Sequence, residues 1–141
     1  MTEDKIKVVL HDGGIMPTRA HADDAGLDLY TPEDFTINEH SYVKVDLQLS
    51  IAIPKDCVGR VCSKSGLMSR GITVMGGEID CGYTGSISVC LRNENDYYVR
   101  FERGNKVAQL IIEPVVICDI EQVESLEETE RGDGGFGSTG V

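Results

Sequence analysis

An all-β fold, an antiparallel sandwich or barrel, is what the sequence predicts, from three observations. Apolar and polar residues alternate with period two over several short runs, turn residues punctuate those runs, and helical periodicity is almost absent. The alternation is carried by Lys5 to Leu10, Tyr42 to Ile53 and Ser86 to Leu91, while Val107 to Val116 reads as a buried strand ended near Pro114. The breaks fall at Asp12-Gly13-Gly14, Pro32, Pro54, Gly76-Gly77 and Arg103-Gly104-Asn105. Ser63 to Arg70 predicts one short helical turn, and Ser125 to Glu130 a second, weak one. A length of 141 residues suits a single domain. The final stretch, RGDGGFGSTG before Val141, is too rich in glycine for a packed strand. The expected division is a folded body over 1–124 and a mobile arm over 125–141.

Composition narrows the function classes. Apolar runs are far too short to span a bilayer, and the first twenty residues lack an apolar signal core, so a cytoplasmic or nuclear protein is expected. The five cysteines, Cys57, Cys62, Cys81, Cys90 and Cys118, form no C-x-x-C pair and have no histidine at zinc-finger spacing. Reduced, mostly buried thiols are expected. A formal net charge of −11 argues against a nucleic-acid scaffold or a binder of acidic membranes. A polyanionic substrate would need local cations, backbone N–H groups and a divalent metal to override that field.

Five constellations can carry chemistry, and each has a plainer alternative. In Ala25 to Tyr30, Asp28 lies between Leu27 and Leu29 and faces opposite to them on a strand. Such an acid holds a metal or a water, or is simply solvated. Ser63-Lys64-Ser65-Gly66 offers a cation, two hydroxyls and open backbone for phosphate oxygens, or is an ordinary polar turn; it is not a P-loop. Gly76 to Gly85 reads as a β-hairpin whose glycines let a flat ring approach the backbone. Asp80 there is a candidate general base, whereas Tyr83 on its own suggests hairpin packing. Gln109 is an amide in the apolar strand that follows Arg103-Gly104-Asn105-Lys106, and needs partners from backbone or ligand. In the glycine-rich tail, Phe136 can stack on a base while Arg131, Ser138 and Thr139 reach phosphates; the alternative is a disordered end.

Taken in order, the five blocks resemble the five motifs of the trimeric dUTPase family, from about Ala25 to Gly140. RGDGGFGSTG is the most specific of them, with EIDCGYTG and KVAQLI in support. The resemblance implies a jelly-roll-like β subunit of the β-clip type, assembled as a homotrimer whose active sites are shared between subunits. It implies hydrolysis of dUTP to dUMP and diphosphate with Mg2+, which keeps uracil out of DNA and supplies dUMP for thymidylate synthesis. By the same resemblance Asp80 activates the attacking water at the α-phosphate. Gly77, Ile79 and the backbone near Ser88 hold uracil, and Tyr83 packs under deoxyribose. Lys64, Ser65, Gly66 and Gln109 contact phosphates. Arg131, Phe136, Gly137, Ser138 and Thr139 form the lid, and Asp28 touches the magnesium shell through water.

The sequence departs from the family pattern in places. Lys64 stands where Arg is usual before Ser-Gly, Gly82 and Thr84 flank Tyr83, and Asn105-Lys106 replaces the usual Asp-Arg. A lysine keeps the charge and loses the bidentate fork. The rival readings are a dCTP deaminase, which shares the fold, and a noncatalytic binding module of the same family.

Overall fold

The computed structural model describes residues 5–137, 139 and 140. Eleven strands and one short helix run through those residues. Four strands form the larger sheet, in the order β2-β11-β6-β8. They are β2 (Gly26–Tyr30), β11 (Lys106–Pro114), β6 (Cys57–Cys62) and β8 (Glu78–Asp80). A second sheet, in the order β4-β9-β7, consists of β4 (Tyr42–Asp46), β9 (Ser88–Asn93) and β7 (Ile72–Val74). Two short ladders complete the fold: β1 (Val8–Leu10) with β5 (Leu49–Ile51), and β3 (Phe35–Ile37) with β10 (Val99–Phe101). All of these pairings are antiparallel.

The alternation seen in the sequence is what buries the core. Leu29, Val61 and Leu110 from the larger sheet meet Val45, Val89 and Leu91 from the second in a single apolar cluster. Leu47, Leu49 and Ile37 are wholly buried within it. Asn93 is also wholly buried, and its amide is satisfied. Nδ2 donates to Ile37 O at 3.1 Å and Tyr97 O at 2.8 Å, and Oδ1 accepts from Asn95 N at 2.9 Å. These bonds tie β9 to the end of β3, and a buried amide without them would be destabilising.

Four expectations from the sequence need correction: the thiols are not mostly buried, since Cys81 and Cys118 are exposed and Cys57, Cys62 and Cys90 only half-buried, and three segments fold differently. Tyr42 to Ile53 is not one strand. Gln48 adopts a left-handed backbone, φ 58°, and its N–H is capped by Asp46 Oδ1 at 2.9 Å, so β4 and β5 pair in different ladders. Gly76 to Gly85 does not close a hairpin: β8 bonds to β6 while β9 bonds to β4 and β7, so the segment crosses between sheets. The weak helix over 125–130 is absent; those residues are exposed and irregular. The turn over Ser63 to Arg70 does form, as helix α1 (Ser65–Met68). After Pro114 the described chain has no strand, and it exposes Val116, Ile117, Ile120 and Leu126.

Candidate active site

The crossing between β8 and β9 opens a cleft where the two larger sheets meet. It has a volume of about 300 Å³, with Val61, Gly77, Ile79 and Asp80 on one side and Lys44, Ile87 and Ser88 on the other. Tyr83 and Ser86 line it from the connection. Gly77 is required by its backbone, φ 138°, and a Cβ there would stand 3.2 Å from Val61 Cβ. Ile79 anchors β8 in the core, which turns Glu78 and Asp80 outward on either side of it. The Tyr83 hydroxyl donates to Ser86 O at 2.7 Å, and the ring lies so close to Gly85 that a Cβ there would meet Oη at 2.5 Å. Being the last strand of its sheet, β8 has no strand partner on its outer edge among the described residues.

A second group lies at the far side of the same sheet. Asp28 is only 4% exposed, and its two oxygens are taken by two ammonium groups: Lys64 Nζ on Oδ1, and Lys106 Nζ on Oδ2 at 3.1 Å. Burial is the largest single influence on the Asp28 carboxyl and pushes its pKa up, but the bonds and charges of Lys64 and Lys106 together outweigh it and hold the carboxyl below the ordinary value. The bond to Asp28 in turn raises the pKa of Lys106. Gln109 is the direct neighbour of Asp28 in the β11–β2 register and of Cys62 in the β11–β6 register, and its Nε2 donates to Ser63 O at 2.9 Å. Ser65 and Gly66 stand exposed beside Lys64 at the start of α1.

Strand alternation puts Asp28, Gln109 and Asp80 on one face of one sheet. They are nevertheless not together. Asp80 is opposite Val58, and Gln109 is opposite Cys62, four residues further along β6 and one strand beyond it. At the usual strand rise and spacing, Asp80 and Gln109 are about 16 Å apart. The tail forms a third group. Arg131, Gly134 and Thr139 surround a shallow hollow, Arg131 Nε donates back to Gly134 O at 2.8 Å, and the Phe136 side chain is fully exposed. Gly137 is exposed as well, and Ser138 lies outside the described residues.

The sequence matches the dUTPase family over residues 12–140. The chain belongs to the dUTPase family. A deoxyuridine 5'-triphosphate nucleotidohydrolase of Clostridium tetani is 40% identical over 99% of both chains. One of Corynebacterium jeikeium is 43% identical over 89% of this chain and 86% of its own. Among solved structures, a variant of the Staphylococcus bacteriophage 80alpha dUTPase with dUpNHpp superposes with a TM-score of 0.92 at 28% identity, covering 99% of this chain and all of the phage protein. A variant dUTPase of phage phi11, whose structure describes a structural Mg(II) ion, has a TM-score of 0.82 at 25% identity over 89% of this chain and all of its own.

Within this family member, the cleft gathers Gly77, Ile79, Asp80, Tyr83 and Ser88, five of the residues singled out from sequence. Lys64 and Gln109 stand at Asp28 instead, with Ser65 and Gly66 following Lys64 in the chain. Lys44 and Ser86 in the cleft, and Lys106 on Asp28, were missed as site residues. Lys106 had a visible sign, a departure from the family's usual Arg. Lys44 and Ser86 had none, since each reads as an ordinary strand or turn residue.

The donor set answers what kind of metal would fit. No group of three His, Cys, Asp or Glu side chains capable of holding a metal occurs among the described residues. Asp28, with both oxygens engaged, is suited to an outer contact through water. That fits a magnesium ion held chiefly by the phosphates of a bound nucleotide, which keeps several waters and needs few protein ligands.

Among the described residues, no helix is long and apolar enough to cross a membrane.

Proposed function

We propose that the protein hydrolyses dUTP to dUMP and diphosphate as a homotrimer with shared active sites. The observation that carries the reading is the cleft, where Asp80 stands beside the free edge of β8 and the ring of Tyr83. Uracil presents a flat edge of alternating acceptor and donor, which backbone groups of Gly77 and Ile79, with those near Ser88, are suited to read. Cytosine reverses part of that polarity, leaving buried groups unpaired, and a site built on hydrogen bonds discriminates strongly on that basis. Tyr83 packs beneath deoxyribose, where its ring leaves no room for a 2′-hydroxyl.

In the reaction, Asp80 accepts a proton from water as the water oxygen attacks the α-phosphorus, and diphosphate leaves. Lys64, the backbone at Ser65-Gly66 and Gln109 hold the phosphate chain in line. Asp28 orients waters around the metal, which when bound neutralises charge on the phosphate oxygens. Arg131, Phe136, Gly137, Ser138 and Thr139 close over the nucleotide from the arm, residues 125–141.

The separation within one chain supports sharing. Reacting groups must approach to within about 3–3.5 Å, and side chains standing parallel on one face do not close the gap between Asp80 and Gln109. Pairing the cleft of one copy with the lysine group of another removes the difficulty. The exposed apolar residues from Val116 to Leu126 fit the same arrangement, as surface for a neighbouring copy.

The test is to incubate the protein and magnesium with each nucleoside triphosphate in turn, measuring diphosphate release and, for dCTP, ammonia. Diphosphate from dUTP alone is the expected result. Ammonia from dCTP would replace this reading with a deaminase, and inactivity toward every nucleotide would leave a binding module.

A further inference from the structure

Both lysines that stand where the family usually has arginine converge on one carboxylate. Lys64 and Lys106 each hold one oxygen of the buried Asp28, so the group carries one positive charge in a protein whose formal net charge is −11. They stand on different elements. Lys106 opens β11, registered opposite Tyr30 beside Asp28, whereas Lys64 precedes α1 and is followed by the exposed Ser65 and Gly66.

We propose that Lys106 is a positioning residue: it keeps Asp28 neutralised so that Lys64 can leave that carboxylate for the phosphates of the substrate. This rests on the reading of Lys64 as a phosphate contact. If Lys64 were the sole partner of Asp28, its departure would strand a buried anion next to a polyanion, which is strongly unfavourable. With Lys106 in place, the remaining pair is neutral and Lys64 is the surplus cation. The choice of lysine matters. A guanidinium forks across both oxygens of a carboxylate, whereas an ammonium is a compact charge that takes one oxygen and swings on a flexible stem. Two lysines therefore share Asp28, and one of them is transferable.

The experiment measures binding of the imido analogue of dUTP by calorimetry, in EDTA so that the role of Asp28 toward metal does not enter. Lys106→Gln is made in the native background and in Asp28→Asn. The expected result is about a tenfold loss of affinity in the native background and less than about twofold in Asp28→Asn, because the effect passes through the carboxylate. Equal losses in both backgrounds would make Lys106 a direct phosphate contact and overturn the proposal, as would no loss in the first.

A second measurement needs no variant. Brief acetylation of the native protein with and without the analogue, mapped by mass spectrometry, should show Lys64 becoming protected while Lys106 reacts as before. Equal protection of both amines also overturns the proposal. A native protein that binds no analogue even with magnesium added points instead to failure of the dUTP reading on which this one rests.

Discussion

Gly26 and Gln109 are fitted to each other across the β2–β11 ladder: a Cβ on Gly26 would lie 2.1 Å from Gln109 Oε1 and 3.2 Å from Gln109 Cβ. The outer end of a glutamine can move aside, but its bond to Ser63 O would be lost with the movement. Gly26→Ala should therefore destabilise the fold by only about 1–2 kcal/mol while weakening nucleotide binding more than tenfold. Thermal unfolding and analogue binding, measured together, separate the two effects. A variant with native affinity would remove the Gln109 amide from the phosphate site.

The base is tested with its shared setting. Asp80→Asn keeps the size of the side chain and cannot take a proton from water, so kcat should fall about a hundred- to ten-thousandfold with little change in KM. Chains lacking the tail should also be inactive. Mixing the two after subunit exchange should restore part of the activity, since some sites then draw an intact Asp80 and an intact tail from different chains. No recovery, with exchange shown by mass spectrometry, would count against shared sites.

Asp28 makes a prediction about acid stability. Its carboxyl is held below the ordinary value of 3.8 because the two lysines outweigh the effect of burial. The stabilisation is thus fully present above that value and is lost as pH falls through the lowered native pKa. Asp28→Asn should be less stable than the native protein by about 2 kcal/mol at pH 7. The difference should shrink steadily below about pH 4. A difference that stays constant down to pH 2 would mean that the ion pairs do not stabilise the fold.

The fold was legible where local pattern decides it, and lost where long-range pairing does. Val45, Leu47, Leu49 and Ile51 keep their alternation straight through the break at Gln48, so a corner that moves the chain from one ladder to another leaves no mark on the period. Glycines over Gly76 to Gly85 do signal a reversal, but whether two strands pair with each other or with third parties depends on partners far along the chain. The residues of the cleft were found because they cluster in one segment and match a family motif. The environment of Asp28 was not, because Lys64 and Lys106, which pair with its oxygens, are remote in sequence. Alternation told which way Asp28 points and nothing of what covers it.

The tail carries the final prediction. Ten residues dominated by glycine lose much conformational entropy on ordering, and in the described structure Phe136 touches nothing while Arg131 bonds only within its own loop. A lid of that kind must recover its ordering from ligand contacts. Stacking of Phe136 on uracil would supply about 1–3 kcal/mol, and Arg131 and Thr139 would add bonds to phosphate oxygens. The lid should order with the imido analogue and magnesium, and much less with dUMP, which lacks the outer phosphates. Truncation after Glu130 should shift Tm by no more than about 2 °C, because no core contact is removed, yet abolish most turnover. Trypsin offers the direct check, since cleavage after Arg131 should slow markedly when the analogue is bound. Equal cleavage rates with and without a saturating analogue would show that the tail does not close on the nucleotide.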